Sequence, residues 1–234
     1  MLGYYSGYGM GMDSTYLLMI IAIAISAFAQ MRVTSTFNKY LKVRNSTGIQ
    51  GFEVARRILD SQGLYDIPVE MVPGTLSDHY DPRSRAVRLS KEVYAGDSIA
   101  SVSVAAHEVG HAIQHATGYA PLNFRSILAP VAAFSGNIVW ILVMMGLILS
   151  MPFLINIGIY LFLAVLLFQI ITLPVEFNAS KRALAQLESG YISSEEIQAS
   201  KKVLGAAAMT YVAATLVSVL QLLRLLALSN RRRD

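Results

Sequence analysis

Long uncharged apolar runs alternate along this chain with a more polar segment. The first run, Ser14 to Met31, has 18 residues, and as a helix it is about 27 Å long, close to the roughly 30 Å thickness of the hydrocarbon core of a bilayer. A cleaved signal peptide is the alternative, because Ala27-Phe28-Ala29 resembles a cleavage site, but no Lys or Arg precedes the run. The pattern favours a transmembrane anchor.

Two further apolar stretches follow the polar segment. Between Arg125 and Glu176 lie 50 uncharged residues, enough for two spans, and Ser150, Pro152, Asn156 and Gly158 favour a turn between them. The pattern therefore predicts a transmembrane hairpin. The run 203–223 has basic residues on both sides, so charge does not orient it; we favour a further span over a helix that lies at the membrane surface.

The polar segment shows the periodicities of a small folded unit. Apolar residues recur at helical spacing from Ile49 to Gln62, and short strand-like runs cover Ile67 to Val72 and Ala86 to Ser90. Asp97-Ser98 can cap a helix that ends near Gly118. We expect a helix, a small sheet and a second helix.

Composition and charge agree with a membrane protein. Hydrophobic residues make up 54% of the 234 residues and charged residues 15%, and the mean hydropathy is +0.49. The absence of cysteine excludes disulfides, thiolate zinc sites and a cysteine nucleophile. Basic residues cluster after the first run and at both hairpin ends, so the positive-inside rule places the polar segment in the cytoplasm and the Tyr/Gly-rich start outside.

The motif His107-Glu108-Val109-Gly110-His111 lies on the second predicted helix. Two histidines four residues apart lie on one helical face, where they can bind one metal ion. Glu108 follows the first histidine and can take a proton from a metal-bound water, whose pKa zinc lowers to about 7. The motif predicts one Zn²⁺ per chain, with His107 and His111 as ligands and Glu108 as the catalytic base.

A catalytic zinc needs a third protein ligand beyond the two histidines. His115 lies eight residues after His107, about 12 Å along the helix axis, which is too far for one tetrahedral ion. Glu176 ends the apolar hairpin, where an unpaired carboxylate is costly, and a metal explains its position. A helix cap after Pro174 is the alternative. We predict Glu176 as the third ligand.

Three segments resemble the bacterial YugP-type neutral zinc metallopeptidases: Ala105 to His115, Pro174 to Ser180, and Asp78 to Pro82. The resemblance implies a bacterial cell-membrane protein, mostly α, whose zincin-like catalytic unit has a small β-sheet, an HExxH helix and a Glu-bearing helix, with three to four transmembrane helices. HtpX-type proteases, which are distantly similar, have an aspartate four residues after the corresponding Glu. This chain has Ser180 there, a weaker partner for orienting a histidine.

Five further residues are candidates for stabilising the oxyanion or supporting the ligands: His79, His115, Ser180, Arg182 and Tyr191. A helix histidine packed beside Tyr119 also explains His115, and an acidic turn explains the surroundings of His79. The sequence does not choose among these roles.

The chain divides by these patterns into five parts. They are an N-terminal transmembrane anchor at 1–31, a cytoplasmic zincin region with the HExxH helix at 32–126, and a transmembrane hairpin at 127–175. A Glu-ligand helix with a cytoplasmic segment follows at 176–202, and then a C-terminal apolar helix with a basic tail at 203–234.

These features predict a membrane-anchored zinc-dependent endopeptidase that hydrolyses peptide bonds of membrane proteins or their cytoplasmic segments with a metal-activated water. We expect polypeptide substrate and membrane lipid as partners, with homo-oligomers or membrane proteins as further partners, and no nucleic acid. Ala86 to Ser90 is predicted to be a sheet edge on which substrate pairs. A site-2-type intramembrane protease is disfavoured because no aspartate lies between Asp97 and Asp234. A non-catalytic scaffold that retains a zinc site is disfavoured by the intact Glu108.

Overall fold

The computed structural model describes residues 14–230. Over this range the elements are α1 (Ser14–Leu41), α2 (Gly51–Ser61), β1 (Val69–Val72), β2 (His79–Asp81), β3 (Ala86–Ser90), α3 (Lys91–Tyr94), α4 (Ile99–Ala116), α5 (Ala120–Ile148), α6 (Pro152–Leu187) and α7 (Ser194–Asn230). The predicted outward-facing Tyr/Gly-rich start and the basic tail at 231–234 lie outside the described residues.

Within residues 14–230, four helices, α1, α5, α6 and α7, are long and apolar enough to cross a membrane. Together with the small sheet they confirm the predicted fold class. At 36 residues, α6 is about 54 Å long and extends well beyond a hydrocarbon core of roughly 30 Å. The predicted segment boundaries at 31, 126, 175 and 202 fall inside continuous helices, because they follow changes in charge along the chain rather than breaks in the backbone.

The membrane helices pack as a row in which α6 contacts α5 and α7, and α7 also contacts α1. The α5–α6 hairpin is tight: a Cβ atom on Gly158 would lie 2.8 Å from Val143 Cγ2. Ser150, with φ of 54°, and Pro152 at the start of α6 form the turn, as the sequence predicts, whereas Asn156 and Gly158 lie within α6. Val143, Ile155 and Leu225 belong to the buried core of this bundle.

The sheet has the order β1-β3-β2, with β1 parallel and β2 antiparallel to β3. Val87 of β3 pairs with Val69 on one side and Tyr80 on the other. The prediction that Ala86–Ser90 is an edge strand is therefore wrong. A run of five residues shows that a strand forms but not how many neighbours it has; β1 and β2 lie at the two edges.

Polar side chains hold β2 against β3. Asp81 accepts hydrogen bonds from Arg88 Nη1 and Ser84 Oγ, both at 2.8 Å, and these bonds, that from Ser84 first, hold the pKa of Asp81 well below its usual range. Asp78 accepts a hydrogen bond of 2.7 Å from the Ser90 backbone N–H. The short strand is thus fixed from both ends.

The elements between the first and second spans, α2, the sheet, α3 and α4, form a unit that we call the polar unit. Helix α4 crosses its interior, in contact with α2, the sheet and the inner ends of α6 and α7. Its N-cap is Ser98, whose side chain accepts a hydrogen bond from Ser101 N at 3.0 Å, as the sequence predicts. Gly118, with φ of 63°, follows the end of the helix. Helix α4 is not among the four candidate spans, so the HExxH motif belongs to the unit packed on the membrane helices.

Candidate metal centre and active site

His107 and His111 on α4 meet Glu176 on α6. Glu176 Oε2 lies 3.2 Å from His107 Nε2 and 3.6 Å from His111 Nε2, and one ligand atom from each residue lies within 4.8 Å of the others. The two helices can approach this closely because Gly110 has no side chain: a Cβ atom there would lie 2.6 Å from the Ala179 carbonyl oxygen.

These three residues fit a zinc ion. Zinc bonds of about 2.0–2.1 Å in a tetrahedral arrangement put neighbouring ligand atoms about 3.3 Å apart, close to the two observed separations. Glu176 is only 2% exposed, and its Oε1 has no hydrogen-bond partner among the described residues. Burying a carboxylate is costly unless cations compensate its charge; Arg125 lies on the Oε1 side, and a metal ion would lie on the Oε2 side, beside the two histidines. Two histidines and one glutamate form a ligand set of catalytic zinc enzymes.

Gln114 orients His111. Its Nε2 donates hydrogen bonds to the Val175 carbonyl oxygen (2.8 Å) and to Asn178 Oδ1 (3.0 Å), so its Oε1 is the acceptor that faces His111 Nδ1 at 3.0 Å. His111 therefore carries its proton on Nδ1, which leaves the Nε2 lone pair directed at the cluster. Gln114 is fully buried and connects α4 to α6 at this level.

Ser180 contacts the other histidine of the motif. Its Oγ lies 3.2 Å from His107 Nδ1, so the hydroxyl can orient this histidine. Both histidines thus turn Nε2 toward Glu176 while Nδ1 bonds to a neutral side chain. A neutral partner raises the basicity of an imidazole less than a carboxylate does.

The carboxyl group of Glu108 lies beside the cluster. Burial raises the pKa of Glu108 to about 7, while the charge of His107 opposes that shift and the charge of Glu176 adds to it. The backbone N–H of Tyr80 donates a hydrogen bond to this carboxyl group, which ties it to strand β2. A carboxyl group that titrates near neutral pH can both accept and return a proton.

The cluster opens into a cleft of about 600 Å³. One wall comes from β2, with His79 and Tyr80, and another comes from the membrane helices, with Arg125, Phe168 and Tyr211. The cleft therefore lies where the polar unit meets the spans. Arg125 Nη1 is 3.3 Å from Glu176 Oε1 and partly balances the charge of that carboxylate.

Two of the candidate histidines line this cleft beside the metal ligands. His79 Nδ1 donates to the Ser77 carbonyl oxygen at 2.8 Å, so a neutral His79 has no proton on Nε2 and can donate to an oxyanion only as a cation. His115 Nδ1 lies 2.7 Å from the hydroxyl of Tyr80, which links the end of α4 to β2. The metal-binding group consists of His107, His111 and Glu176 and does not include His115.

Arg182 and Tyr191 do not line the cleft. Arg182 Nε donates to Asn178 Oδ1 at 2.8 Å. Tyr191 packs against the core of the polar unit, and its carbonyl oxygen accepts a hydrogen bond from Thr47 Oγ1. The geometry gives neither side chain a contact with the cluster. The alternative of a helix cap at Glu176 is wrong, because α6 continues through Pro174 without a break.

Several residues of the site were not predicted from the sequence. Gln114 follows His111 by three residues, one helical turn, and that spacing could have identified it. Arg125 is the last charge before the long apolar run, where an unpaired charge is as costly as at Glu176, so its position could have indicated a partner. Tyr211 lies within an apolar run and carries no signal in the sequence.

Comparisons with known proteins agree with this geometry. A family model described as "Putative neutral zinc metallopeptidase" matches residues 15–230. The "Putative membrane protease YugP" of Bacillus subtilis (strain 168) is 52% identical over 218 residues, which cover 93% of this chain and 97% of that protein. No solved structure matches. These matches confirm the predicted resemblance, and with the four apolar helices they indicate a multi-pass membrane protein. The chain belongs to the neutral zinc metallopeptidase family.

Proposed function

We propose that this protein is a zinc-dependent endopeptidase of the bacterial cell membrane. His107, His111 and Glu176 hold the zinc, and Glu108 is the catalytic base. The observation that carries the proposal is the position of Glu108, buried beside the three ligand side chains and bound to the Tyr80 backbone N–H. A site that only stored zinc would have no need of a buried carboxyl group next to the ligands.

In this mechanism the chain positions the reacting groups and moves one proton. Zinc, when bound, supplies a Lewis acid that polarises the peptide carbonyl group and acidifies a water molecule. Glu108 accepts a proton from that water and returns it to the leaving amine, so no covalent intermediate with the protein is needed. Gln114 and Ser180 hold the imidazole rings in place during these steps.

The shape of the cleft supports polypeptide substrates. Strand β2 is an edge of the sheet and lines the cleft through His79 and Tyr80, so an extended peptide can add to it by main-chain hydrogen bonds. The opposite wall belongs to the membrane helices and includes the apolar side chain of Phe168. Segments of membrane proteins close to the bilayer fit this combination best.

Charge supports a cytoplasmic orientation for the site. Arg32, Arg125 and Lys181 lie at the ends of apolar spans nearest the cluster in sequence, and cytoplasmic ends are rich in Lys and Arg. The intramembrane alternative finds no support, because α4 is not a candidate span and the third residue of the metal-binding group is a glutamate.

The test compares purified wild type with Glu108→Gln for zinc content and for cleavage of casein and of a membrane protein. We expect equal zinc in both and cleavage reduced by about 10²–10⁴-fold in the variant, because only the base is lost. Glu195→Gln, an exposed change of the same kind on α7, should match wild type.

Three results would contradict the proposal. Zinc bound to both proteins with no cleavage of any tested polypeptide by wild type favours a scaffold that retains a metal site. Absence of zinc from both removes the ligand assignment. Loss of zinc from Glu108→Gln alone would mean that Glu108 supports the metal rather than the proton transfer.

A further inference from the structure

A second groove, of about 1220 Å³, lies between α1, α6 and α7. None of its lining residues also lines the active-site cleft. The peptidase mechanism assigns it no role. It adjoins the metal centre through one turn of α6, since Ser180, whose hydroxyl contacts His107, is among its lining residues.

Five cationic side chains line this groove: Arg32, Lys39, Lys181, Lys201 and Lys202. All five residues are exposed. Lys201 Nζ lies 3.7 Å from a carboxylate oxygen of Glu188. No carboxylate among residues 14–230 lies within 4.0 Å of the charged groups of the other four. The groove therefore has a large excess of uncompensated positive charge, which attracts an anionic ligand.

Exposed apolar side chains line the groove beside these cations. Phe28, Phe177 and Met209 are 58%, 50% and 49% exposed. Phe28 precedes Arg32 by four residues on α1, and Phe177 precedes Lys181 by four on α6, which is about 6 Å along each axis.

Helix α7 runs in the opposite sense and shows the same order in reverse. Met209 follows Lys202 by seven residues, about 10 Å along the axis. On each of the three helices the apolar side chain lies on the side of the uncharged run, and the cation lies farther from the middle of that run. The groove is thus apolar toward the middle of the spans and cationic at their ends.

We propose that this groove binds an anionic phospholipid. The headgroup phosphate lies among Arg32, Lys181 and Lys202, and an acyl chain lies against Phe28 and Phe177. Two observations favour a lipid over other anions. All three helices are candidate membrane spans, so bilayer lipid surrounds this groove. Basic pockets between transmembrane helices also bind the headgroups of anionic lipids.

The proposal has a consequence for the metal centre. Phe177 and Lys181 lie on the turn of α6 that also carries Glu176 and Ser180. A lipid that fills the groove restrains this turn from one side, while α4 packs on it from the other through Gly110. Lipid binding itself requires neither zinc nor peptidase activity, so it can be tested separately from the proposed function.

The experiment measures lipid binding to the full-length zinc-loaded protein in nanodiscs. Fluorescent phosphatidylglycerol is titrated into phosphatidylcholine nanodiscs containing wild type, and fluorescent phosphatidylcholine is the reference probe. The test variant is the triple change Arg32→Gln, Lys181→Gln and Lys202→Gln. The control triple is Lys42→Gln, Arg57→Gln and Lys91→Gln, three exposed cations that do not line the groove, so both variants lose the same net charge.

We expect wild type to prefer phosphatidylglycerol and the test variant to lose at least about tenfold in affinity for it. Each cation near an anionic lipid contributes a factor of about five to the binding affinity. The control triple should lose less than about twofold. Circular dichroism and zinc content must match wild type in both variants; if the triple variant does not fold, the three single changes are measured, and their losses must exceed those of the control singles.

Equal binding of the two lipids by wild type overturns the proposal, as does an equal loss of affinity in both triple variants. The proposal is also overturned if a second copy of the chain covers the groove. In that case the test variant would change from dimer to monomer, and wild type would show no preference for phosphatidylglycerol.

Discussion

Gly110 is the position at which a single methyl group should separate the metal ligands. It lies between His107 and His111 on α4, where that helix crosses α6. A Cβ atom built at Gly110 would lie 2.6 Å from the carbonyl oxygen of Ala179 and 3.2 Å from its Cα. The obstacle is backbone, so no side-chain rotation relieves it. In Gly110→Ala the two helices must move apart.

The size of that movement follows from the contact. Real Cβ atoms essentially never approach closer than 3.0 Å, so the separation from Ala179 must grow from 2.6 Å by about 0.4 Å. Metal–ligand distances in functional sites hold to about ±0.2 Å. The displacement is about twice that tolerance and acts directly between the helix of the two histidines and the helix of Glu176. We expect zinc affinity to fall by at least about tenfold, or about 1.4 kcal/mol.

A measurement of the free energy of unfolding alone would not reveal the loss of zinc affinity. Alanine is favoured over glycine inside a helix by about 1 kcal/mol, whereas overpacking of a close helix crossing costs about 1–3 kcal/mol. The two contributions partly cancel, so the unfolding temperature of the zinc-free protein should change little. Zinc affinity is the informative measurement because only the displacement of the ligands affects it.

The assay is competition for zinc against a chelator of known affinity, followed by cleavage at saturating zinc. Gly136→Ala on α5 is the matched control, since nothing lies within 4 Å of a Cβ atom there; it should bind zinc as wild type does. Unchanged zinc affinity and unchanged cleavage in Gly110→Ala would refute the reasoning, because they would show that the site tolerates the displacement or that the helices do not move.

Three smaller changes test other parts of the structure. Gln114→Ala removes the acceptor for His111 Nδ1 and should weaken zinc binding by about 10–100-fold in the same competition assay, whereas Gln114→Glu keeps an acceptor and should lose less. Arg125→Gln should lower the unfolding temperature more in the zinc-free than in the zinc-loaded protein, because a cation 3.3 Å from Glu176 matters most when no metal balances that buried carboxylate; equal losses in both states would contradict this. For Asp81, a lowered pKa in the folded state contributes stability that is present above the unfolded value of about 3.9 and is lost as pH falls below it. Asp81→Asn should therefore be less stable at pH 7 and lose less stability between pH 7 and pH 3, as followed by thermal unfolding at each pH.

The spans and the metal-binding residues could be predicted because each leaves a local signal. Uncharged runs mark the spans whatever surrounds them, and the spacing of His107 and His111 places both on one helical face in any helix. Glu176 stood out because it ends 50 residues without charge. A carboxylate at that position needs a partner, and the fold supplies two histidines.

The order of the strands and the contacts that orient the histidines could not be predicted in this way. Whether Ala86–Ser90 has one neighbour or two depends on β1 and β2, which are only four and three residues long. The roles of Gln114 and Ser180 depend on how α4 crosses α6. That crossing is set by Gly110 meeting the backbone of Ala179, a contact between residues 69 positions apart that a single sequence does not report.

The metal ligands lie on two kinds of helix, one in the polar unit and one in the membrane bundle, so metal binding and the packing of these two parts depend on each other. The histidines belong to α4, whose N-cap and packing lie within the polar unit, whereas Glu176 belongs to a helix that is 36 residues long and mostly apolar. A metal bound to both histidines and Glu176 connects the polar unit to the membrane helices at one point. Gln114 makes a second connection beside it through its hydrogen bonds to Val175 and Asn178. Because binding to the folded form alone stabilises it by mass action, the stabilisation by zinc should appear mainly at the interface between α4 and α6. Hydrogen exchange of the zinc-free protein should therefore increase first in the turn around Glu176 and in the second half of α4, while the sheet, which is held by Asp78 and Asp81 without any contribution from the metal, keeps its protection.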